Sequence, residues 1–282
     1  GRYLKEIPVD NCVKIEKITD GPLRQSLKAH YVIKGSKIEV TYTMDRHATA
    51  LRTDLYIDWQ EAGKETVPLL QYRVPTAYQT DEFLYDIPGG AIRRQAGTTD
   101  VPALQYGVAV HPSGDSVIVV SDCKYGYRGL NKSLGLSLIN SSTGPDPYPE
   151  LGIQKVTLWT GSFKADEKAA KDFSERCNHA MFYQSSNAHK GNLPLHDSLF
   201  SFHSDTVVLS SVLPAGDGGI IARLYEVKGV TGKVVLHFNK PVRMAKSVDL
   251  FEKEVNTPVS VQDCYVSCEV EPNSICELKI LL

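Results

Sequence analysis

The chain has 282 residues, a formal net charge of −2, 42% hydrophobic residues and 23% charged residues. That balance is ordinary for a soluble globular protein, and the length suffices for one large β core or two smaller ones. It offers no general basic field for nucleic acid, and no apolar run reaches membrane-spanning length.

The chain begins Gly1-Arg2-Tyr3, with no initiator methionine and no basic-then-apolar leader pattern. Such a start reads either as a processing scar or as a piece of a longer protein. Alternation of period two then governs most of the sequence. Leu27, Ala29, Tyr31 and Ile33 alternate with mostly polar neighbours, as do Ile38, Val40, Tyr42 and Met44. Gly35-Ser36 between them predicts a two-residue type II′ turn, and so a hairpin over 27–44. Leu51, Thr53, Leu55, Ile57 and Trp59 predict a third strand with one buried face. Further strands are predicted over 69–74, 104–110, 115–121, 134–140 and 154–160.

The period changes in 164–182, where Ala169, Phe173, Cys177, Ala180 and Met181 fall at helical spacing. Lys and Glu fill the opposite face, which predicts an amphipathic helix covering a sheet or filling a crossover. Residues 184–205 are polar and irregular. Strands return over 206–213, 219–226, 233–238, 264–270 and 275–281. Pro88-Gly89-Gly90, Pro112-Ser113-Gly114, Gly144-Pro145-Asp146-Pro147 and Gly216-Asp217-Gly218-Gly219 punctuate the strands. The expected class is all-β, in two domains at 1–205 and 206–282.

Signals for chemistry are sparse. His189, His196 and His203, with Asp205, offer imidazole and carboxylate, but a spacing of seven fixes no ligand geometry. Cys123 has no histidine nearby in sequence, and no Gly-x-Ser-x-Gly or phosphate-binding glycine loop occurs. The six cysteines form no Cys-x-x-Cys, so free thiols in a reducing cytoplasm are expected. One stretch stands out: DCKYGYRG, residues 122–129, directly after an apolar strand. It is expected to be the loop of a hairpin joining 115–121 to 134–140. Tyr125, Tyr127 and Arg128 there suit either packing at strand ends or stacking on a sugar.

Seven collinear stretches carry a resemblance. They are TDGPLRQSLK (19–28), LYIDWQEAGK (55–64), LYDIPGGAIRR (84–94), VPALQYGVAV (101–110), VVSDCKYGYRGLNKSLGLSLINSSTGPDP (119–147), IIARLYEVKG (220–229) and VDLFEKEV (248–255). The chain resembles the C-terminal β region of glycoside hydrolase family 38 α-mannosidases of the cytosolic and bacterial type. The resemblance implies a large antiparallel β-super-sandwich of the galactose-mutarotase-like kind, followed by a smaller β domain. It implies a parent enzyme that is a retaining exo-α-mannosidase with a covalent glycosyl intermediate.

The resemblance places the nucleophilic Asp and a zinc site of His and Asp ligands in an N-terminal α/β-barrel domain, whose motifs are not found here. The chain alone is then expected to be inactive, cytoplasmic and without a cofactor of its own. Zinc or another divalent cation belongs to the upstream domain. The implied partners are the chain's own N-terminal catalytic domain and a mannose-containing oligosaccharide, with homo-oligomerisation left open. Residue by residue, the implied substrate-cleft candidates are Arg94, Asp122, Lys124, Tyr125, Tyr127, Arg128 and Asn140. Two positions depart from the family pattern. Gly89 replaces a usual aromatic, and Asn140 stands where related strands are followed by Arg. The alternatives are a free-standing carbohydrate-binding module and a mutarotase-like aldose epimerase, for which His111, His179 and His237 are the available bases.

Overall fold

The computed structural model describes residues 5–63, 66–144, 147–192, 194–216 and 218–282. The opening Gly1-Arg2-Tyr3, and Lys64, Pro145, Asp146 and Asp217, lie outside them. Among the described residues there are twenty-one strands and one helix. They fall into two compact units, one comprising residues up to Ile87 with Ile92–Asn178, the other Pro88–Ala91 with His179–Leu282.

The first run of strands is β1 (Cys12–Asp20), β2 (Arg24–Ile33), β3 (Ser36–Asp45), β4 (Ala50–Trp59), β5 (Leu69–Pro75), β6 (Glu82–Ile87) and β7 (Gly90–Gln95). It continues with β8 (Val101–Pro102), β9 (Tyr106–Ala109), β10 (Asp115–Ser121), β11 (Gly126–Leu130), β12 (Ser133–Asn140) and β13 (Gly152–Lys164), then helix α1 (Glu167–Asn178). A nine-stranded sheet runs β1-β2-β3-β4-β13-β10-β9-β6-β7, and a four-stranded sheet runs β5-β12-β11-β8. All of their mapped pairings are antiparallel. Their inward side chains form one core, including Val40, Ile57, Trp59, Phe83, Tyr85, Tyr127, Leu134 and Leu136. The alternation read in 27–59 is this inward face.

The sequence expectation is corrected at three places. The hairpin turn is Lys34-Gly35, one residue earlier than expected, with Lys34 at φ 50°. Ser36 belongs to β3 because its buried hydroxyl donates to Glu61 at 3.0 Å and accepts from the Gln60 N–H at 2.9 Å. Secondly, 115–121 and 134–140 are not a hairpin: β10 pairs with β9 and β13, while β12 pairs with β11 and β5. Half of the glycine-rich stretch is strand β11. Its Gly129 is required by contact, since a Cβ there would run into the Phe83 ring.

Thirdly, α1 is shorter than 164–182. Asp166 caps its start, accepting from the Ala169 N–H at 3.0 Å. The chain leaves the helix after Asn178, so Ala180 and Met181 are not on it. Lys171, expected on the wet face, is buried with Ala170, Phe173 and Ser174. A partner explains it: its ammonium lies 3.4 Å from the buried Asp86 carboxylate and 3.2 Å from the Gln105 amide oxygen.

The second unit holds β14 (Phe200–His203), β15 (Val207–Pro214), β16 (Ile220–Glu226), β17 (Gly232–Phe238), β18 (Met244–Val248), β19 (Val259–Gln262), β20 (Tyr265–Val270) and β21 (Ile275–Leu281). Two four-stranded sheets, β14-β17-β20-β19 and β15-β16-β21-β18, make a sandwich. Its core includes Leu224, Val234, Leu236, Phe238, Val266 and Leu278. Buried Glu226 ties two of its loops, accepting from the N–H groups of Lys228, Gly229 and Asn273 at 2.8, 2.7 and 3.0 Å. Among the described residues, no helix is long and apolar enough to cross a membrane.

Candidate functional site

Segment 121–130 carries the chain from the nine-stranded sheet to the four-stranded one. Ser121 ends β10, and its hydroxyl accepts from the N–H groups of Cys123 (3.3 Å) and Lys124 (2.9 Å). This Ser-turn bends the chain off the sheet. The Asp122 N–H still reaches the Thr157 carbonyl at 3.2 Å, and the Tyr125 carbonyl accepts from the Ala103 N–H at 2.9 Å. At Gly126 and Tyr127 the segment pairs on both sides, with Gly126 opposite both Ser137 and Pro102, and it continues to Leu130 paired with β12.

Alternation within β11 then decides which candidates can meet a ligand. Tyr127 points inward and has no solvent exposure. Its hydroxyl donates to the Gln105 carbonyl at 2.9 Å, and its ring lies 6.3 Å from that of Tyr85. Burial raises its pKa far above the ordinary phenol value. Arg128 points to the other face but is only 4% exposed. Its guanidinium bonds one oxygen of Asp100 at 2.8 and 2.7 Å, and the Ser137 hydroxyl donates to the other at 2.5 Å. In this structure both residues hold the sheet rather than present themselves to a sugar.

The remaining candidates are open to solvent to different degrees. Tyr125 is 59% exposed. Asp122 is exposed and Lys124 half-buried. Half-buried Arg94 donates to the carbonyl of Pro102 at 3.2 Å, and its guanidinium carbon sits 5.9 Å from the centre of the Tyr85 ring. Because Pro102 pairs with Gly126, Arg94 is brought beside the start of β11. Exposed Asn140 ends β12, three residues past Ser137, and its N–H donates to Glu150 at 2.8 Å. Gly89 adopts φ +69°, a left-handed conformation that an aromatic side chain would strain.

Cys123 is exposed. Partial burial and the neighbouring Asp122 carboxylate nevertheless push its pKa up to about 11. A thiol held protonated at neutral pH is a poor nucleophile. Its alkylation by iodoacetamide, followed by peptide mass spectrometry, is expected to accelerate about tenfold per pH unit between pH 8 and 10. A rate that levels off below pH 9 would contradict this.

Among the described residues, no three His, Cys, Asp or Glu side chains converge on a metal-sized site. His189, His196 and His203 do not assemble; the His189 ring bonds its own loop at the Asn187 carbonyl, 2.8 Å away. The described residues therefore do not fit a zinc ion. Sequence reasoning missed Asp100, Glu150 and the Asp86–Lys171 pair. Asp100 and Glu150 are ordinary charged residues in loops, Asp86 lies on β6 and Lys171 on α1, and only the fold supplies their partners.

The sequence profile of the glycosyl hydrolases family 38 C-terminal domain matches residues 2–148, more than half of the chain. The chain belongs to glycoside hydrolase family 38. The family's C-terminal β-sandwich profile matches residues 206–276. Among curated relatives, alpha-mannosidase G of Dictyostelium discoideum is 28% identical over 80% of this chain. Alpha-mannosidase 2C1 of Homo sapiens is 25% identical over 83%. The chain spans only 22% and 23% of the lengths of these two family 38 relatives. In three dimensions it resembles the crystal structure of an alpha-mannosidase from Enterococcus faecalis, with TM-score 0.79 and 13% identity, over 95% of this chain and 35% of that one. A second family 38 structure from Enterococcus faecalis gives TM-score 0.78 at 12% identity, over 95% of this chain and 36% of that one. These likenesses establish the fold, with its large antiparallel sheets and a C-terminal β-sandwich.

Proposed function

We propose that this chain is the non-catalytic C-terminal β portion of a cytoplasmic family 38 α-mannosidase. The first unit supplies the super-sandwich domain and the second the smaller β domain. The parent enzyme removes terminal α-D-mannosyl residues from oligosaccharides with retention. Its nucleophile and its divalent metal lie upstream. The observation that carries this reading is the family match over 2–148, joined to relatives named alpha-mannosidases of which the chain spans less than a quarter.

Within that reading, Tyr125, Arg94 and Asn140 border the sugar cleft, while Tyr127 and Arg128 shape the sheet behind it. The support is exposure: an accessible phenol can stack on a pyranose, and a fully buried one cannot. In the full-length enzyme, Tyr125→Ala is expected to raise KM for an aryl α-mannoside about three- to tenfold, the loss of one stacking contact. Tyr127→Phe, which removes only a buried hydroxyl, is expected to leave KM unchanged while lowering the unfolding temperature. Equal KM for wild type and Tyr125→Ala would remove this loop from the cleft. Proton NMR of the first product should show α-mannose; β-mannose appearing first would refute the retaining reading.

A further inference from the structure

The nine-stranded sheet has five more strands than the four-stranded sheet that shares its core. Toward its β1 edge the inward face carries exposed apolar side chains. In β2 and β3 the inward residues are Leu27, Ala29 and Tyr31, and Ile38, Val40, Tyr42 and Met44, with Leu27 opposite Tyr42 and Ala29 opposite Val40. Ala29 and Val40 are buried core. Farther along the same face, Leu27 and Met44 are 48% and 44% exposed. On β1, Ile15 pairs with Ala29, so it extends this face, and it is 68% exposed. Three large apolar side chains thus continue a core face into solvent as a stripe flanked by Lys17, opposite Leu27, and Gln25, opposite Met44, where single scattered ones would need no explanation.

The edge itself is not built for strand addition. Two register shifts interrupt the β1 pairing, between Cys12 and Lys14 and between Lys17 and Thr19. Such bulges spoil the even row of backbone groups that an incoming strand would need. Whatever covers this end meets it through side chains on the inward face.

We propose that Ile15, Leu27 and Met44 form the seat on which the upstream part of the same polypeptide packs through an apolar surface of its own. This rests on the reading of the chain as one portion of a longer enzyme. The occupant follows from length: the chain spans 22% and 23% of its relatives, so most of such a polypeptide lies outside it and is tethered to it. A tethered partner docks at high effective concentration, so a patch of three side chains suffices where a separate protein would need a larger one.

The test is oxidation of Met44 by hydrogen peroxide, in which the thioether becomes a sulfoxide and the peroxide is reduced to water. It is measured by peptide mass spectrometry in the 282-residue chain and in the full-length protein that contains it. The expected result is at least about tenfold slower oxidation in the full-length protein, because the seat is covered there. Leu27→Asp should restore fast oxidation in the full-length protein and leave the unfolding temperature of the 282-residue chain unchanged. Equal Met44 rates in the two proteins would overturn the proposal. So would concentration-dependent protection in the 282-residue chain together with a dimer in sedimentation, which would make the occupant a second copy. Protection of Met44 in a full-length protein that hydrolyses no α-mannoside would refute the mannosidase reading and leave the seat standing.

Discussion

Lys171→Met is expected to destabilise the first unit by about 3–5 kcal/mol, the usual cost of removing one partner of a buried ion pair. The substitution leaves the Asp86 carboxylate, 1% exposed at its side chain, without its ammonium. One Asp86 oxygen keeps the Gln105 N–H at 3.1 Å, and the other is buried without a hydrogen bond. Burial already raises the Asp86 pKa above its ordinary value, and Lys171 opposes that rise. A carboxyl whose folded pKa is raised contributes stability present below its unfolded pKa and lost as pH rises through the folded one. Without Lys171 the rise is larger. The deficit of the variant should therefore be small at pH 4, where Asp86 takes up a proton, and full at pH 8. Urea unfolding at both pH values measures it. A deficit that is equal at the two values would show that Asp86 is not the group left uncompensated. The double variant Asp86→Leu with Lys171→Met should recover most of the loss, since an apolar pair can replace a buried ionic one.

Glu226→Ala carries the second large effect. Glu226 is fully buried, and its two oxygens accept three backbone N–H groups from two loops. Bonds to a charged acceptor contribute about 1.5–3 kcal/mol each, and a buried N–H left unpaired costs about 1–3 kcal/mol. Allowing for water entering the vacated space, a total near 4 kcal/mol is expected. The signature is local as well as global. Amide hydrogen exchange should accelerate together at Lys228, Gly229 and Asn273, because one side chain serves all three. Acceleration at only one of them would mean that the loops hold themselves.

The parts of this fold that were legible in sequence are those where one local rule has no competitor. Strict alternation placed β3 and β4 to within a residue or two, because side chains facing the core must recur every second position. Where a partner distant in sequence intervenes, the local rule fails. Ser36 resembles a turn residue until Glu61 and Gln60 hold its hydroxyl. Gly126-Tyr127-Arg128-Gly129 resembles a loop by its glycines, yet it is a strand in which Gly129 clears the Phe83 ring. Lys171 resembles a solvent residue until Asp86 is placed beneath it.

The same limit applies to the candidate residues. Sequence singled out the stretch 122–129, but a strand it did not predict begins at Gly126, leaving Tyr125 exposed before it and Tyr127 buried within it. Asp100, which orders Arg128 and Ser137, carries no local pattern at all.

The measurement that bears most directly on the central claim is hydrolysis of an aryl α-D-mannoside with added zinc, by the 282-residue chain beside the full-length protein that contains it. The account predicts turnover by the full-length protein and none above background by the chain, with or without the metal. Turnover by the chain at a rate comparable to the full-length protein would place the catalytic carboxylates within these 282 residues and contradict it.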